Sequence, residues 1–272
     1  MRISSLLSFV MLAALMFSPV SARAWGWDAH HIACGLAWDE LTPPIRAKVA
    51  DILEAPSGDA AGRDAFAYSC RWADDVIPWR KETAPWHYVN VPKGATTVVL
   101  ARDCPPPKSC LVEQVMQQAA ALRAHHSKDA LRYVGHFVGD LNTPLHISYA
   151  EDFGANAIKG TLDGVPTNLH AIWDYEMLNQ TKRLWPEIAA DLHGRITDAQ
   201  RRAWAPGTPI DWANESLAIT LSPAMGYHAY DPPFALGEDY TKVTLPKIYE
   251  QLEKSGVRIA RVITDALSDV RK

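Results

Sequence analysis

The sequence predicts a mainly α protein, a single-domain helical bundle with one small β-hairpin. Three observations carry this. Apolar residues recur at helical rather than alternating spacing over most of the chain, helix starts are marked by proline and small polar residues, and a single segment breaks the pattern.

Taken in order, HHIACGLAWDEL from His30 and PIRAKVADILEA from Pro44 read as the first helices, the second entered through Thr42, Pro43 and Pro44. Proline suits a first helical turn, where its missing N–H has no partner to lose. LVEQVMQQAAALRAHH from Leu111 and LRYVGHFVGDL from Leu131 follow, the latter started by Ser127, Lys128 and Asp129. IDWANESLAITL from Ile210 and a stretch from Tyr240 to Val270, interrupted at Pro246, continue the pattern as packed amphipathic helices. The exception is Asn156 to Leu169, where two short extended runs flank Asp163-Gly164, a hairpin turn signal. No repeat, low-complexity tract or Ser/Gly linker divides the chain.

Residues 1–24 have a basic start at Arg2, an apolar run from Leu6 to Phe17, and Ala22 and Ala24 in an A-x-A pattern, the layout of a cleaved secretory signal. The run is short for a membrane anchor, so a secreted or periplasmic protein without a stable anchor is expected, rather than one with a retained anchor. Its removal takes Arg2 and Arg23 but no acid, so length falls from 272 to 248 and net charge from −4 to −6. That balance argues against a protein gripping phosphates with a Lys/Arg surface, although bound divalent cations would reverse the sign locally.

Four cysteines fit an exported protein with two bridges. Cys104 and Cys110 bracket PPPKS, a loop that a disulfide could close. Cys34 lies four residues after His30 and Cys70 four before Asp74, so they either pair beside a shared site or serve as small buried hydrophobes.

His136 and Asp140, and again His170 and Asp174, are spaced i and i+4. On a helix each pair projects from one face, an imidazole and a carboxylate within reach of one cation. Either pair alone is more often a hydrogen bond than a metal site. Both lie in apolar helical stretches, however, where a buried polar group needs a partner. His146 follows Pro144 and can turn back to the same cavity. Asp74 lies on a helix flanked by Trp and Ala, with Asp75 pointing elsewhere, and His87 sits in an extended segment among aromatics. His30 opens the first helix, while His31 faces another side. Cleavage after Ala24 would free the α-amine of Trp25, whose pKa of about 8 permits zinc ligation near neutrality. Trp25 could equally be an apolar start to the chain.

In order, W-G-x-x-x-H, W-A-D, W-H-Y-V, H-F-V-G-D-x-x-x-P-L-H and T-N-L-H-x-x-W-D resemble the zinc-dependent single-strand-specific nucleases of fungi, plants and bacteria, also called type I nucleases or 3′-nucleotidases. The resemblance runs from Trp25 to about Asp174 and implies the fold shared by these enzymes and zinc phospholipase C. It further implies three Zn2+ ions per chain. Asp74, His87 and His136 would hold one, with Asp140 bridging to a second held by His30 and the Trp25 amine and carbonyl; His146, His170 and Asp174 would hold the third. Asp74 and Asp140 would act through water activated between two ions, and the remaining ion would stabilise the leaving 3′-oxygen. Single-stranded DNA and RNA and 3′-nucleotides are the implied substrates, 5′-phosphates the products, and a monomer the expected form.

Tyr88 matches a position that stacks on a base, or else is a core tyrosine. The residue after the last Asp ligand is Asn in fungal members, where it contacts the base, and Tyr175 here, which leaves base preference open and makes Tyr175 a candidate second stacking surface. Lys93 and Arg80 are candidate phosphate contacts or ordinary solvated charges. Zinc phospholipase C is the competing enzyme, with a longer Trp-to-His spacing and Glu in place of Asp174, and a phospholipid side activity stays open. A non-catalytic zinc-binding protein is the competitor of another class, though such proteins carry His-rich tracts rather than scattered ligands.

Overall fold

The computed structural model describes residues 26–56, 58–106, 109–227 and 233–268, so Trp25 and the leader lie outside the described residues. The architecture is mainly α with two small sheets. Helices α1 (Trp27–Glu40), α2 (Pro43–Leu53) and α3 (Asp59–Ser69) lead into the short α4 (Trp72–Asp75). A 3-10 turn (Lys81–His87) then enters strand β1 (Val89–Val91), followed by α5 (Leu100–Asp103), α6 (Leu111–His125) and α7 (Lys128–Leu141). After a 3-10 turn (Pro144–His146) come β2 (Ile147–Tyr149), β3 (Lys159–Leu162) and β4 (Val165–Asn168). Helix α8 (Leu169–Ala171) runs through a π-helical turn (Ile172–Glu176) into α9 (Met177–Gln180), and α10 (Trp185–Arg195), α11 (Asp198–Trp204) and α12 (Pro209–Thr220) follow. Strand β5 (Phe234–Leu236) and α13 (Glu238–Leu267) complete the described chain.

Helix α1 is the axis of the core. Ala29 to Trp38 are buried without interruption, because α13, α3, α10 and α7 pack around the helix. An apolar surface on all sides is what such a position requires. Truncating fully buried Leu36 to Ala would cost about 2–5 kcal/mol, the lost transfer free energy plus a term for the cavity left behind. Helix α7 packs on α6 and α13. It starts as expected at Ser127, whose hydroxyl accepts the Ala130 N–H at 3.3 Å, and its end is pinned by Asn142, which accepts from buried Arg258 of α13 at 2.5 Å.

The hairpin forms as the sequence indicates. β3 and β4 are antiparallel around Asp163 and Gly164, whose φ values of 50° and 78° suit a two-residue turn that matches strand twist. Beside the hairpin and at the C-terminus, two features differ from the sequence reading. β5 adds a third strand, parallel to β3. α13 continues through Pro246 instead of breaking there: Pro246 and Lys242, one turn earlier, are both exposed, so the carbonyl deprived of its N–H partner lies on the solvent side of the helix, where water can take the place of that N–H. Among the described residues no helix is long and apolar enough to cross a membrane.

The second sheet, not anticipated from the sequence, builds the site. β1 and β2 are parallel, with Val89 opposite Ile147. Each is preceded by a 3-10 turn ending in a histidine, His87 and His146. The ladder therefore delivers both rings at the same end. His87 is thus on a turn, not in the extended segment expected for it, because Pro85 and its neighbours coil before the strand begins.

Candidate metal centre and cleft

Eight side chains from six parts of the fold converge beneath one cleft: His30 of α1, Asp74 of α4, His87, His136 and Asp140 of α7, His146, and His170 and Asp174 around the π-helical turn. Seven of the eight are buried, and Asp74 nearly so. Three groups among them bring ligand atoms within 4.8 Å of one another: His30, Asp74 and His136; His87, His136 and Asp140; and His146, His170 and Asp174.

Asp140 stands between the groups. Its Oδ2 lies 3.2 Å from both His87 Nδ1 and His136 Nε2, whereas Oδ1 lies 3.5 Å from His30 Nε2 and 3.4 Å from His146 Nδ1. Asp74 Oδ1 is 3.6 Å from His87 Nδ1 and 3.7 Å from His136 Nε2. The His30 and His136 rings stack, centroids 3.8 Å apart. Farther along, His146 Nε2 is 3.7 Å from Asp174 Oδ1 and His170 Nε2 is 3.9 Å from Asp174 Oδ2.

Backbone carbonyls set the tautomers. His136 Nδ1–H donates to Cys70 at 2.6 Å, His146 Nδ1–H to His87 at 2.9 Å, and His170 Nδ1–H to Gly154 at 2.7 Å. Each ring thereby turns its Nε2 into the cluster, the outer-shell arrangement of metal-binding histidines. Both oxygens of Asp74 and of Asp174, Asp140 Oδ1, and Nε2 of His146 and His170 are buried without a hydrogen bond. A protein does not leave so many buried acceptors unpaired unless a cation meets them.

The electrostatics agree. Burial pushes the Asp174 carboxyl up to about 7 against the pull of His146, and burial likewise raises Asp74. Burial and the neighbouring His146 bring His170 down to about 3. Burial works against the charged forms of Asp140 and His136 as well, yet their mutual attraction, with help from His146 and Asp74, holds Asp140 well below the usual carboxylate range and lifts His136 to about 9. Without an ion the pair keeps a proton between α7 residues one turn apart.

The supports are also visible. Cys34 and Cys70 form a disulfide, as do Cys104 and Cys110. The first ties α1 one turn beyond His30 to the chain one turn before Asp74. Gly26 donates its N–H to the Asp174 carbonyl at 3.1 Å and packs so closely on Tyr175 that an added Cβ would overlap that side chain. His31 stays outside the cluster, edge-on to Tyr68.

A cleft of about 590 Å³ opens over this floor, with Asp74, His87, His146 and His170 in its lining. Tyr88 lines it and is 41% exposed, which removes the core alternative for this residue. Tyr175 and Lys93 are not among the lining residues; the Lys93 N–H bonds Glu151 at 3.1 Å. Arg80 is likewise outside the lining and pairs with Asp129 at 3.2 Å. Sequence reasoning missed Trp27, Arg71, Asn90 and Phe153, all of which line the cleft. Only Arg71, one turn before Asp74, carried a signal that could have found it.

The family model described as S1/P1 Nuclease matches residues 25–268. The chain belongs to the S1/P1 nuclease family. As a member of that family it is a nuclease-type hydrolase, and its relatives span plants and fungi. Endonuclease 1 of Arabidopsis thaliana is 27% identical over 98% of this chain and 95% of its own length. Nuclease P1 of Penicillium citrinum is 24% identical over 89% of this chain and 97% of its own, and Nuclease S1 of Aspergillus oryzae 25% identical over 78% and 84%. The S1/P1 match extends through α12 and α13, where the sequence motifs are sparse.

Proposed function

We propose that the mature chain is an exported, zinc-dependent phosphodiesterase that hydrolyses single-stranded DNA and RNA to 5′-phosphate products and removes phosphate from 3′-nucleotides. The observation that carries this reading is the set of buried, unpaired carboxylate oxygens and imidazole nitrogens directed at common centres beneath an open cleft.

The donor set, imidazole and carboxylate with no thiolate, suits zinc in a hydrolytic role. Asp74, His87 and His136 would hold one ion, Asp140 would be shared with a second held by His30 and the Trp25 amine and carbonyl, and His146, His170 and Asp174 would hold a third. When bound, zinc supplies Lewis acidity, which makes water nucleophilic near neutral pH and offsets charge developing on phosphoryl oxygens.

The chain's own groups do the rest. Asp140, with oxygens facing two sides, fixes the spacing of the groups around it. The carbonyls of Cys70, His87 and Gly154 hold three imidazoles in the tautomer that presents Nε2. Tyr88, at the cleft wall beside His87, offers a π face to an unstacked base, a contact worth about 1–3 kcal/mol that tolerates any sequence. Duplex DNA keeps its bases stacked and withholds them from such a wall, which favours single strands. Two disulfides support an oxidising, extracytoplasmic location.

The test is release of acid-soluble nucleotides from single-stranded DNA by purified mature protein, with a chelator-treated sample restored by zinc. Chelator-sensitive release restored by zinc is expected. No release by a zinc-loaded protein would overturn the nuclease reading and turn attention to phosphodiesters of lipids.

A further inference from the structure

Arg71 is the only Lys or Arg among the described residues lining the cleft. Its guanidinium lies over the Trp27 ring, 3.7 Å from the centroid, and its Nε and Nη2 donate to Asp75 Oδ1 at 3.1 and 2.9 Å. A solvated i,i+4 pair would account for the contact with Asp75 and is worth little by itself. It does not account for the indole beneath the guanidinium or for the position in the cleft wall. Asp75 engages one edge and Trp27 one face, so the plane is set from two sides. The Nη1 edge has no hydrogen-bond partner among the described residues.

The position is referenced to the cluster. Arg71 follows Cys70, whose carbonyl orients His136, and precedes Asp74 by one turn. A guanidinium held in this way, beside a floor of carboxylates and imidazoles, presents planar donors to an anion, and phosphate is the anion that planar donors match best.

We propose that Arg71 is a substrate-binding residue that grips a non-bridging phosphate oxygen of the nucleotide through its outward edge, with Trp27 and Asp75 as the brackets that orient it. This rests on the nuclease reading and adds to it the residue that seats the phosphate. Lys93 and Arg80, the cations the sequence suggested for that task, stand outside the cleft lining.

The experiment compares wild type, Arg71→Ala and Arg71→Lys, all zinc-loaded, with a short single-stranded oligonucleotide and with inorganic phosphate as a separate binding probe read by calorimetry. Loss of one charge-assisted bond should raise KM by roughly tenfold or more in Arg71→Ala while kcat changes far less. Arg71→Lys should recover part of the loss, and zinc content should be unchanged. The salt dependence of binding should lose one phosphate contact, a slope change of about 0.7 for a single strand. Phosphate should bind Arg71→Ala roughly tenfold more weakly than wild type. Equal phosphate affinity, or an unchanged KM and salt slope, would overturn the proposal, as would loss of zinc in both variants, which would make Arg71 a support of the cluster. Failure of the nuclease reading shows elsewhere: wild type would release no nucleotide, while the phosphate titration would still decide the role of Arg71.

Discussion

The His170 ring donates from Nδ1 to the carbonyl of Gly154 over 2.7 Å, and that carbonyl sits in a left-handed run formed by Phe153, Gly154 and Ala155, with φ of 57°, 67° and 65°. The run turns the Gly154 carbonyl inward to the ring and leaves Phe153 exposed at the cleft. An added Cβ at Gly154 would stand 3.0 Å from the Leu145 carbonyl and 3.2 Å from Ser148 Oγ. Gly154→Ala should therefore misplace His170, at a cost of about 1–3 kcal/mol in backbone strain. Metal analysis should find less ion at the group of His146, His170 and Asp174; full metal content in this variant would refute the link.

Asp140 and Asp74 differ in how many groups they serve. Asp140 faces four imidazoles, Asp74 two. Asp140→Asn should lose more metal and at least tenfold more activity than Asp74→Asn, a gap of about 1.4 kcal/mol. Equal, mild losses would contradict a shared carboxylate.

Metal uptake should tighten as pH rises. In the ion-free protein His136 holds its proton up to about 9 and Asp174 up to about 7, and a ligand must give up its proton to bind. Below pH 7 an entering ion displaces protons from both, between 7 and 9 mainly from His136, and above 9 from neither. The affinity of chelator-stripped protein should thus climb most steeply below pH 7 and level off above 9. Calorimetry in buffers of different ionisation heat reads the released protons directly. A flat profile would show that these groups do not meet the ion.

An extra residue ahead of Trp25 should lower zinc content and activity together, since it moves the proposed α-amine away from Gly26, which is anchored on Asp174 at 3.1 Å. Native stoichiometry in the extended protein would remove the amine from the ligand set.

Replacing Tyr88 with Ala should raise KM for short nucleotides by roughly fivefold or more, the lower end of a stacking contact, with metal content intact. If KM holds, the exposed ring is not a base platform.

Much of this architecture is legible in the sequence because helical periodicity is redundant over many residues: α2, α6, α7 and α12 each repeat their apolar face through three or more turns, and α1 shows as an apolar stretch too long for a strand. The Asp163-Gly164 turn is equally plain, since few dipeptides accept two positive φ angles. The parallel pair β1 and β2 is invisible for the opposite reason. Three residues per strand show no alternation, and parallel partners lie far apart in the chain. Pro246 misled because its local rule holds only where the freed carbonyl lacks water. Among the site residues, the His and Asp pairs stood out as polar intrusions in apolar helices, whereas Trp27 at the start of α1, Asn90 in β1 and Phe153 in a turn line the cleft through the packing of distant segments, which no spacing encodes.

The bridge between Cys34 and Cys70 has a consequence for endurance. It spans 36 residues, and by chain-entropy reasoning such a closure is worth about 3–4 kcal/mol. The two walls that carry His30 and Asp74 are therefore held together by a covalent bond and do not need the proposed ions to stay in register. A cluster that depended on its ions for shape would fall apart on losing them. Here the frame should outlast its contents: were the proposed ions stripped by a chelator, the disulfide would keep the two walls in register for their return, and circular dichroism of the chelated protein should match that of the loaded one.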